Sequence, residues 1–281
     1  MPALSPLVSA ATLRAAQPAP LLLDCSFDLA DATAGERAYA QGHLPGAVYV
    51  HLDRDLSGAK TGHNGRHPLR SRHDYATWMS QLGISAERSV AVYDRQGGMF
   101  AGRAWWVLRW MGHANVQLLD GGVEAWVNAG GPLSTEVAAS VPSEARPAGH
   151  PAAMPTIEAS TLVDQLDRHL VIDARAGERY RGEVEPLDRV AGHIPGARNR
   201  FFKDNLQADG RFKPAPQLRE EFDRLLAGRS PAEVVLQCGS GVTACHHVIA
   251  MEAAGLGPVT LYPGSWSEWS SDPSRPVETG G

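Results

Sequence analysis

A single cysteine at the start of a glycine-containing loop is the residue of this sequence best placed for chemistry. Cys238 follows the apolar run 234–237 and opens the segment Cys-Gly-Ser-Gly-Val-Thr (238–243), after which a helical pattern begins. The first residues of a helix carry unpaired N–H groups and a partial positive charge. A thiol held there ionises readily, and the thiolate is a good nucleophile at neutral pH. The spacing therefore predicts nucleophilic catalysis by Cys238, against the alternative of a buried, inert cysteine.

The loop after Cys238 has the composition of an anion cradle. Gly239 and Gly241 lack side chains, so the backbone can curl and the N–H groups of the loop, through Val242 and Thr243, can converge on one atom. A thiolate fits such a cradle, and so does a larger anion such as a persulfide.

An internal repeat indicates how this loop is positioned. The chain resembles itself at a spacing of about 145 to 150 residues, which is consistent with a duplicated domain. Three pairs of segments correspond in the same order: Leu21–Asp24 with Leu170–Asp173, Gly42–Ala47 with Gly192–Ala197, and Asp120–Trp126 with Pro263–Trp269. We expect a first domain at residues 1–135, a Pro/Ala-rich linker at 136–155 and a second, catalytic domain at 156–281. Asp94 stands at the cysteine position of the first domain, which is therefore expected to be inactive.

Within each half, short apolar runs alternate with helical patterns. The apolar runs predict strands at 89–93, 116–119, 234–237 and 259–262. The helical patterns between them predict helices at 100–111, 123–129, 218–226 and 244–254. This alternation predicts an α/β fold, in which each domain is a small, mostly parallel sheet flanked by helices. Ligands of such sheets collect at the carboxyl ends of the strands, where Cys238 lies.

Composition excludes several classes of function. A net charge of −5 with no block of Lys or Arg argues against nucleic-acid binding, and no apolar stretch reaches the roughly 18 to 20 residues that span a membrane. Three cysteines cannot pair evenly, so a disulfide framework and a structural zinc site are not expected, and Cys25 and Cys245 are predicted to be structural. No metal or organic cofactor is expected. The absence of a signal-peptide pattern favours the cytoplasm.

These motifs together resemble the tandem-domain rhodanese family of sulfurtransferases. The resemblance extends over nearly the whole chain and includes both Gly-His-x-Pro-Gly-Ala segments, the Asp at position 94 and the Cys238 loop. It implies two rhodanese-like domains and a catalytic cysteine that carries sulfur as a persulfide. His43 and His193, which recur in both halves, are assigned a structural role.

The residues after the cysteine distinguish the branches of this family. Branches that use thiosulfate typically carry Arg and Lys there, whereas this chain has Gly239 and Ser240, which resembles the 3-mercaptopyruvate branch. A hydroxyl at Ser240 can assist proton transfer. Arg179 matches the family's substrate-binding arginine, and a guanidinium suits a carboxylate. The second arginine of the branch has no clear equivalent in the stretch 183–189, where Arg189 is the candidate substitute.

The resemblance also implies that two residues of the first half reach the active site. Asp53 and His67 match an Asp and a His of the 3-mercaptopyruvate branch, with His63 as a competing candidate. The expected reaction transfers sulfur from 3-mercaptopyruvate to Cys238, and then to a thiol, a thioredoxin-like protein or cyanide. Three alternatives stay open: a thiosulfate:cyanide sulfurtransferase, a non-enzymatic sulfur carrier, and a cysteine phosphatase. The phosphatase is disfavoured, because Ala244 stands where that class needs an arginine.

Overall fold

Short apolar runs form two parallel sheets in the computed structural model, which describes residues 4–138, 142 and 152–281. The first sheet has five strands in the order β1-β5-β4-β2-β3. Its strands are β1 (Leu7–Val8), β2 (Leu21–Asp24), β3 (Val48–Tyr49), β4 (Val90–Tyr93) and β5 (Val116–Leu119). Its helices are α1 (Ala10–Ala15), α2 (Ala34–Gln41), α3 (Arg72–Gln81), α4 (Ala101–Trp110) and α5 (Gly122–Asn128).

The second sheet has four strands in the order β7-β6-β8-β9. Its strands are β6 (Leu170–Asp173), β7 (Arg198–Asn199), β8 (Val234–Gln237) and β9 (Thr260–Leu261). Its helices are α6 (Ala159–Asp164), α7 (Gly177–Tyr180), α8 (Ala215–Leu226), α9 (Ala244–Ala253) and α10 (Ser265–Trp269), with 3-10 turns at Phe202–Asn205 and Pro231–Glu233. All pairings between these strands are parallel. The predicted α/β class is confirmed.

The chain divides into two compact units, each of which is made of three separate segments of the sequence. Of the described residues, the first unit takes those within 1–57, 70–153 and 207–212, and the second takes those within 58–69, 154–206 and 213–281. Segment 58–69 therefore folds with the second sheet, although it comes from the first half of the sequence. Residues 139–141 and 143–151 of the predicted linker lie outside the described residues, and the proposed boundaries stay a prediction.

The central strands form because their residues are apolar on both faces. β2, β4, β6 and β8 are buried along their whole length, as expected of strands covered by helices on both sides. The sequence analysis missed β1, β3 and β7. These edge strands have only two residues each, so they are too short to show an alternating or apolar pattern.

The repeated Gly-His-x-Pro-Gly-Ala turn is fixed in the same way in both units. In the first unit, the His43 ring stacks on Tyr39 at 3.8 Å between centroids, and the Tyr39 hydroxyl donates to the Ala47 carbonyl at 2.7 Å. In the second unit, His193 stacks on Tyr180 at 3.9 Å, and Tyr180 donates to the carbonyl of residue 197 at 2.5 Å. Both histidines thus have the structural role that the repeat indicates.

No helix within the described part of the chain combines the length and the apolar character that a membrane crossing requires. Cys25, Cys238 and Cys245 form no disulfide within the described residues.

Candidate active site

Cys238 lies between the end of β8 and the start of α9, as the sequence predicts. It is 1% exposed, and its N–H donates to the Oγ atom of Ser265 at 3.1 Å. The Cys238 carbonyl accepts the N–H of Trp266 at 3.0 Å, and that of Gly239 accepts the N–H of Ser267 at 2.9 Å. The first turn of α10 therefore holds the backbone of the loop in place while the thiol stays at the carboxyl edge of the sheet.

The amides of the Cys238 loop are available for an anion. Within the described residues, the N–H groups of Gly239, Ser240, Val242 and Thr243 donate to no acceptor of the protein. Buried N–H groups are rarely left without an acceptor, since the cost is about 1 to 3 kcal/mol each. The loop therefore has unused donor capacity beside the thiol.

The equivalent loop of the first unit shows what such donors bind. The Asp94 carboxylate is fully buried, and each of its oxygens accepts two backbone N–H groups. The donors are Gln96 and Gly98 to Oδ1 (2.9 and 2.8 Å) and Phe100 and Ala101 to Oδ2 (2.8 and 2.9 Å). An internal anion thus fills the cradle of the first unit.

A buried hydroxyl–imidazole pair stands in the Cys238 loop. The Oγ atom of Ser240 lies 2.8 Å from Nδ1 of His67, and both residues are less than 8% exposed. His67 reaches Ser240 because segment 58–69 folds with the second unit. Of the two candidate histidines, the structure brings His67 to the loop, whereas His63 is exposed and donates its N–H to Thr61.

Arginines and carboxylates alternate in a chain of ion pairs beside the loop. Arg179 donates to both oxygens of Glu185 at 2.7 and 2.9 Å, and it lies 3.5 Å from Asp188. The other Asp188 oxygen accepts a hydrogen bond from Arg66. Arg175 also contacts Glu185, at 3.4 Å. All five side chains are at most one quarter exposed.

Arg175 is the most deeply buried of the three arginines in these ion pairs. It donates to Asp173 at 2.6 to 3.1 Å and lies over the ring of Trp266 at 4.8 Å. Burial alone would lower the pKa of Arg175, but the negative charges of Asp173, Glu185 and Cys238 outweigh it and raise the pKa. Arg175 thus stays a fixed positive charge that interacts with Cys238.

Burial also affects the pKa values of two carboxyls in these ion pairs, Asp188 and Glu185. It raises the pKa of Asp188, because the nearby Arg66 and Arg179 compensate it only in part. It would raise the pKa of Glu185 as well, but hydrogen bonds from Arg179 and from backbone N–H groups outweigh it and lower that pKa. Glu185 is therefore firmly ionised.

Two guanidinium groups converge above Gly239. A Cβ atom at this position would lie 2.8 Å from Nη2 of Arg66 and 3.5 Å from Nη1 of Arg179. The Nε atom of Arg179 is buried and has no hydrogen-bond partner within the described residues. The missing side chain of Gly239 thus leaves room for two cations next to the nucleophile.

Arg189 and Asp53 are the remaining predicted site residues. Arg189 is exposed and lines an open cavity of about 510 Å³ together with Arg66, Asp188 and Ser267. Asp53 belongs to the first unit, where its N–H donates to Nδ1 of His51 at 3.1 Å. Its role as a partner of His67 stays a prediction.

Sequence reasoning did not identify Arg66, Arg175, Glu185 or Asp188 as site residues. Arg66 directly precedes His67, and the acidic residues belong to the stretch 183–189 in which a second arginine was sought. The sequence position of Arg66 next to His67, and that of the two acidic residues within 183–189, are the signals that could have indicated them. The ion pairs themselves depend on how segment 58–69 packs, which no local pattern specifies.

The other two cysteines lack this environment. Cys25 is buried after β2, and burial together with the neighbouring carboxylates Asp24 and Asp94 raises its pKa well above the ordinary range. Cys245 is buried in α9, with its Sγ atom 3.3 Å from the carbonyl oxygen of Gly241. Across residues 4–138, 142 and 152–281, no three His, Cys, Asp or Glu side chains are grouped so as to hold a metal ion.

Comparison with known proteins gives a consistent result. The rhodanese-like domain family matches the chain twice, at residues 9–129 and 158–272. The chain is 47% identical to a probable 3-mercaptopyruvate sulfurtransferase of Pseudomonas aeruginosa, over 95% of both chains. It is 41% identical to a putative thiosulfate sulfurtransferase of Mycobacterium tuberculosis, over 92% of this chain and 90% of that relative. The solved structure of 3-mercaptopyruvate sulfurtransferase from Leishmania major superposes with a TM-score of 0.83 at 28% identity, covering 95% of this chain and 74% of that one.

Proposed function

Because this chain belongs to the rhodanese-like family and is a sulfurtransferase with a sulfur donor and a sulfur acceptor, we propose that its donor is 3-mercaptopyruvate. Cys238 carries the sulfur as a persulfide, and a thiol, a thioredoxin-like protein or cyanide accepts it. The observation that carries this choice of donor is the hydrogen-bond distance between Ser240 and His67. Cysteines that form no disulfide within the described residues are consistent with a reducing compartment, and we place the protein in the cytoplasm.

In the first step, the Cys238 thiolate attacks the sulfur of 3-mercaptopyruvate. The new S–S bond forms as the C–S bond breaks, and the electron pair of that bond leaves with the carbon as the enolate of pyruvate. The enolate must then receive a proton at carbon. Ser240, hydrogen-bonded to His67, supplies this proton, which is general acid catalysis by a positioned hydroxyl, and the pair regains a proton when the persulfide loses its own.

The loop amides stabilise the persulfide. Loss of its proton leaves a negative charge on the outer sulfur, next to the N–H groups that have no protein acceptor. The filled cradle around Asp94 supports this interpretation, since the same kind of loop there encloses a carboxylate. We propose that the first domain is for this reason inactive.

In the second step, an acceptor thiolate attacks the outer sulfur and releases the Cys238 thiolate. The S–S bond of the persulfide breaks, and its electron pair returns to Cys238. The two steps form a double-displacement cycle for which ping-pong kinetics are expected. As written, the cycle balances without a metal or an organic cofactor.

Thiosulfate is the competing donor, and one of the relatives is named for it. Its leaving group, sulfite, needs no proton, so the Ser240–His67 pair would have no role with thiosulfate. The deciding experiment compares kcat/KM for 3-mercaptopyruvate and for thiosulfate with the same acceptor. We expect a clear preference for 3-mercaptopyruvate, and a preference for thiosulfate would refute the proposal.

A further inference from the structure

The two guanidiniums above Gly239 come from different parts of the sequence. Arg179 lies on α7, whereas Arg66 lies in segment 58–69, where its N–H donates to Oγ of Ser267 at 3.0 Å. Because the carbonyl of Gly239 accepts the N–H of Ser267, the backbone of Arg66 is tied to the backbone of the loop through one residue. The position of Arg66 is thus built into the site.

Arg66 fits the second cation position better than Arg189. The Arg66 guanidinium is three quarters buried, is held by Asp188 and points over Gly239. Arg189 is exposed, and within the described residues it makes no hydrogen bond or ion pair. A donor carboxylate next to Cys238 would therefore meet the guanidiniums of Arg66 and Arg179.

Asp188 reduces the net positive charge that Arg66 and Arg179 present to a bound donor. The three cations of these ion pairs are matched by three carboxylates, so their six charges cancel. The cations are Arg66, Arg175 and Arg179, and the carboxylates are Asp173, Glu185 and Asp188. A site that is neutral overall can bind one negative charge through directed hydrogen bonds, but it leaves the second charge of a dianion uncompensated. 3-Mercaptopyruvate has one carboxylate, whereas thiosulfate is a dianion.

We propose that Arg66 is the second guanidinium of the donor site and that Asp188, by neutralising it, makes the site select a monoanionic donor over a dianionic one. The identity of the monoanion rests on the proposed function. The selection itself does not, because it concerns charge alone.

The first test is D188N, which removes one negative charge and keeps the size of the side chain and one oxygen acceptor. Removing a negative charge helps a dianion about twice as much as a monoanion. We expect the ratio of kcat/KM for thiosulfate to that for 3-mercaptopyruvate to rise about tenfold. Partial unfolding lowers both values equally, so the ratio still reports charge selection. E183Q is the matched control, because Glu183 is 55% exposed and pairs with the surface residue Arg181, and its ratio should equal that of the wild type.

The second test compares R66Q with R189Q. We expect R66Q to raise KM for both donors. We also expect it to lower the ratio of kcat/KM for thiosulfate to kcat/KM for 3-mercaptopyruvate about tenfold, with a smaller effect in R189Q. Competitive inhibition by sulfate, which is also a dianion, measures the same charge effect without chemistry, and D188N should strengthen it about 100-fold.

An unchanged ratio and an unchanged sulfate inhibition constant in D188N would overturn the proposal, as would a larger effect of R189Q than of R66Q. These outcomes are distinct from failure of the proposed function. A wild-type enzyme that prefers thiosulfate would refute the choice of donor, whereas the change in ratio from wild type to D188N would still test charge selection.

Discussion

The hydroxyl of Ser240 and the imidazole of His67 lie 2.8 Å apart in a buried position next to Cys238, although the two residues are 173 positions apart in the sequence. A serine hydroxyl alone is a weak acid, and a hydrogen-bonded imidazole can relay its proton. The pair therefore matches a donor whose leaving carbon must be protonated.

Substitution of Ser240 by alanine should slow transfer from one donor and not from the other. We expect S240A to lower kcat/KM for 3-mercaptopyruvate about 100-fold, at the lower end of the range of general acid catalysis, and to change the thiosulfate value much less. H67N should show the same asymmetry, since it acts on the same proton. Steady-state kinetics with both donors check this expectation.

S274A is the control for these variants, because Ser274 is an exposed serine whose hydrogen bonds, among the described residues, are with Asp272. It should behave as the wild type with both donors. Equal losses for both donors in S240A would contradict a proton-transfer role and would indicate that the hydroxyl only shapes the loop.

The Asp94 carboxylate should matter for stability and not for the transfer of sulfur. D94A leaves four buried N–H groups without an acceptor, so we expect a loss of about 3 to 5 kcal/mol in the free energy of unfolding. D28A, which removes an exposed carboxylate that also accepts backbone N–H groups, should cost less than about 1 kcal/mol. Urea unfolding measures both. Loss of activity in folded D94A protein would show that the first domain contributes to catalysis.

Glu221 on α8 should control part of the acid sensitivity. Its burial would raise its pKa, but hydrogen bonds from Arg200 (2.7 Å) and Lys213 (2.9 Å) outweigh it and lower the pKa from 4.5 to about 2. The unfolded chain therefore binds this proton first, and stability is lost as the pH falls from about 4.5 to about 2. The shift corresponds to about 3 kcal/mol, or about 2 kcal/mol after allowance for solvent screening.

E221Q should remove this contribution. The free energy of unfolding of the variant should fall by about 2 kcal/mol less than that of the wild type between pH 5 and pH 2, as measured by urea unfolding at each pH. E220Q is the control, because Glu220 is 73% exposed and forms a surface ion pair with Arg224. Parallel pH profiles for E221Q and wild type would disprove this assignment.

Much of the fold could be predicted because its signals are local. The predicted strands 116–119 and 234–237 are mostly apolar runs, and their bounds agree with β5 and β8 of the structure. Cys238 was found in the same way, since its strand, its glycines and its helix start are adjacent in the sequence. Local propensity and tertiary packing agree at these positions.

The cations of the site could not be found in this way. Arg66 and Asp188 are 122 positions apart, and each reads as a solvated surface charge when taken alone. Their pairing depends on segment 58–69, which folds with the second sheet although it belongs to the first half of the sequence. The resemblance to the 3-mercaptopyruvate branch directs attention to the stretch 183–189 and so to Arg189, and it gives no signal for Arg66.

Mass spectrometry of the intact protein after incubation with 3-mercaptopyruvate and no acceptor tests the central claim most directly. We predict a gain of one sulfur atom that peptide analysis locates on Cys238, that C25S and C245S retain, and that cyanide or a dithiol then removes. The gain should be absent in C238S. A protein that gains no sulfur, or gains it on another residue, would contradict a catalytic Cys238 persulfide.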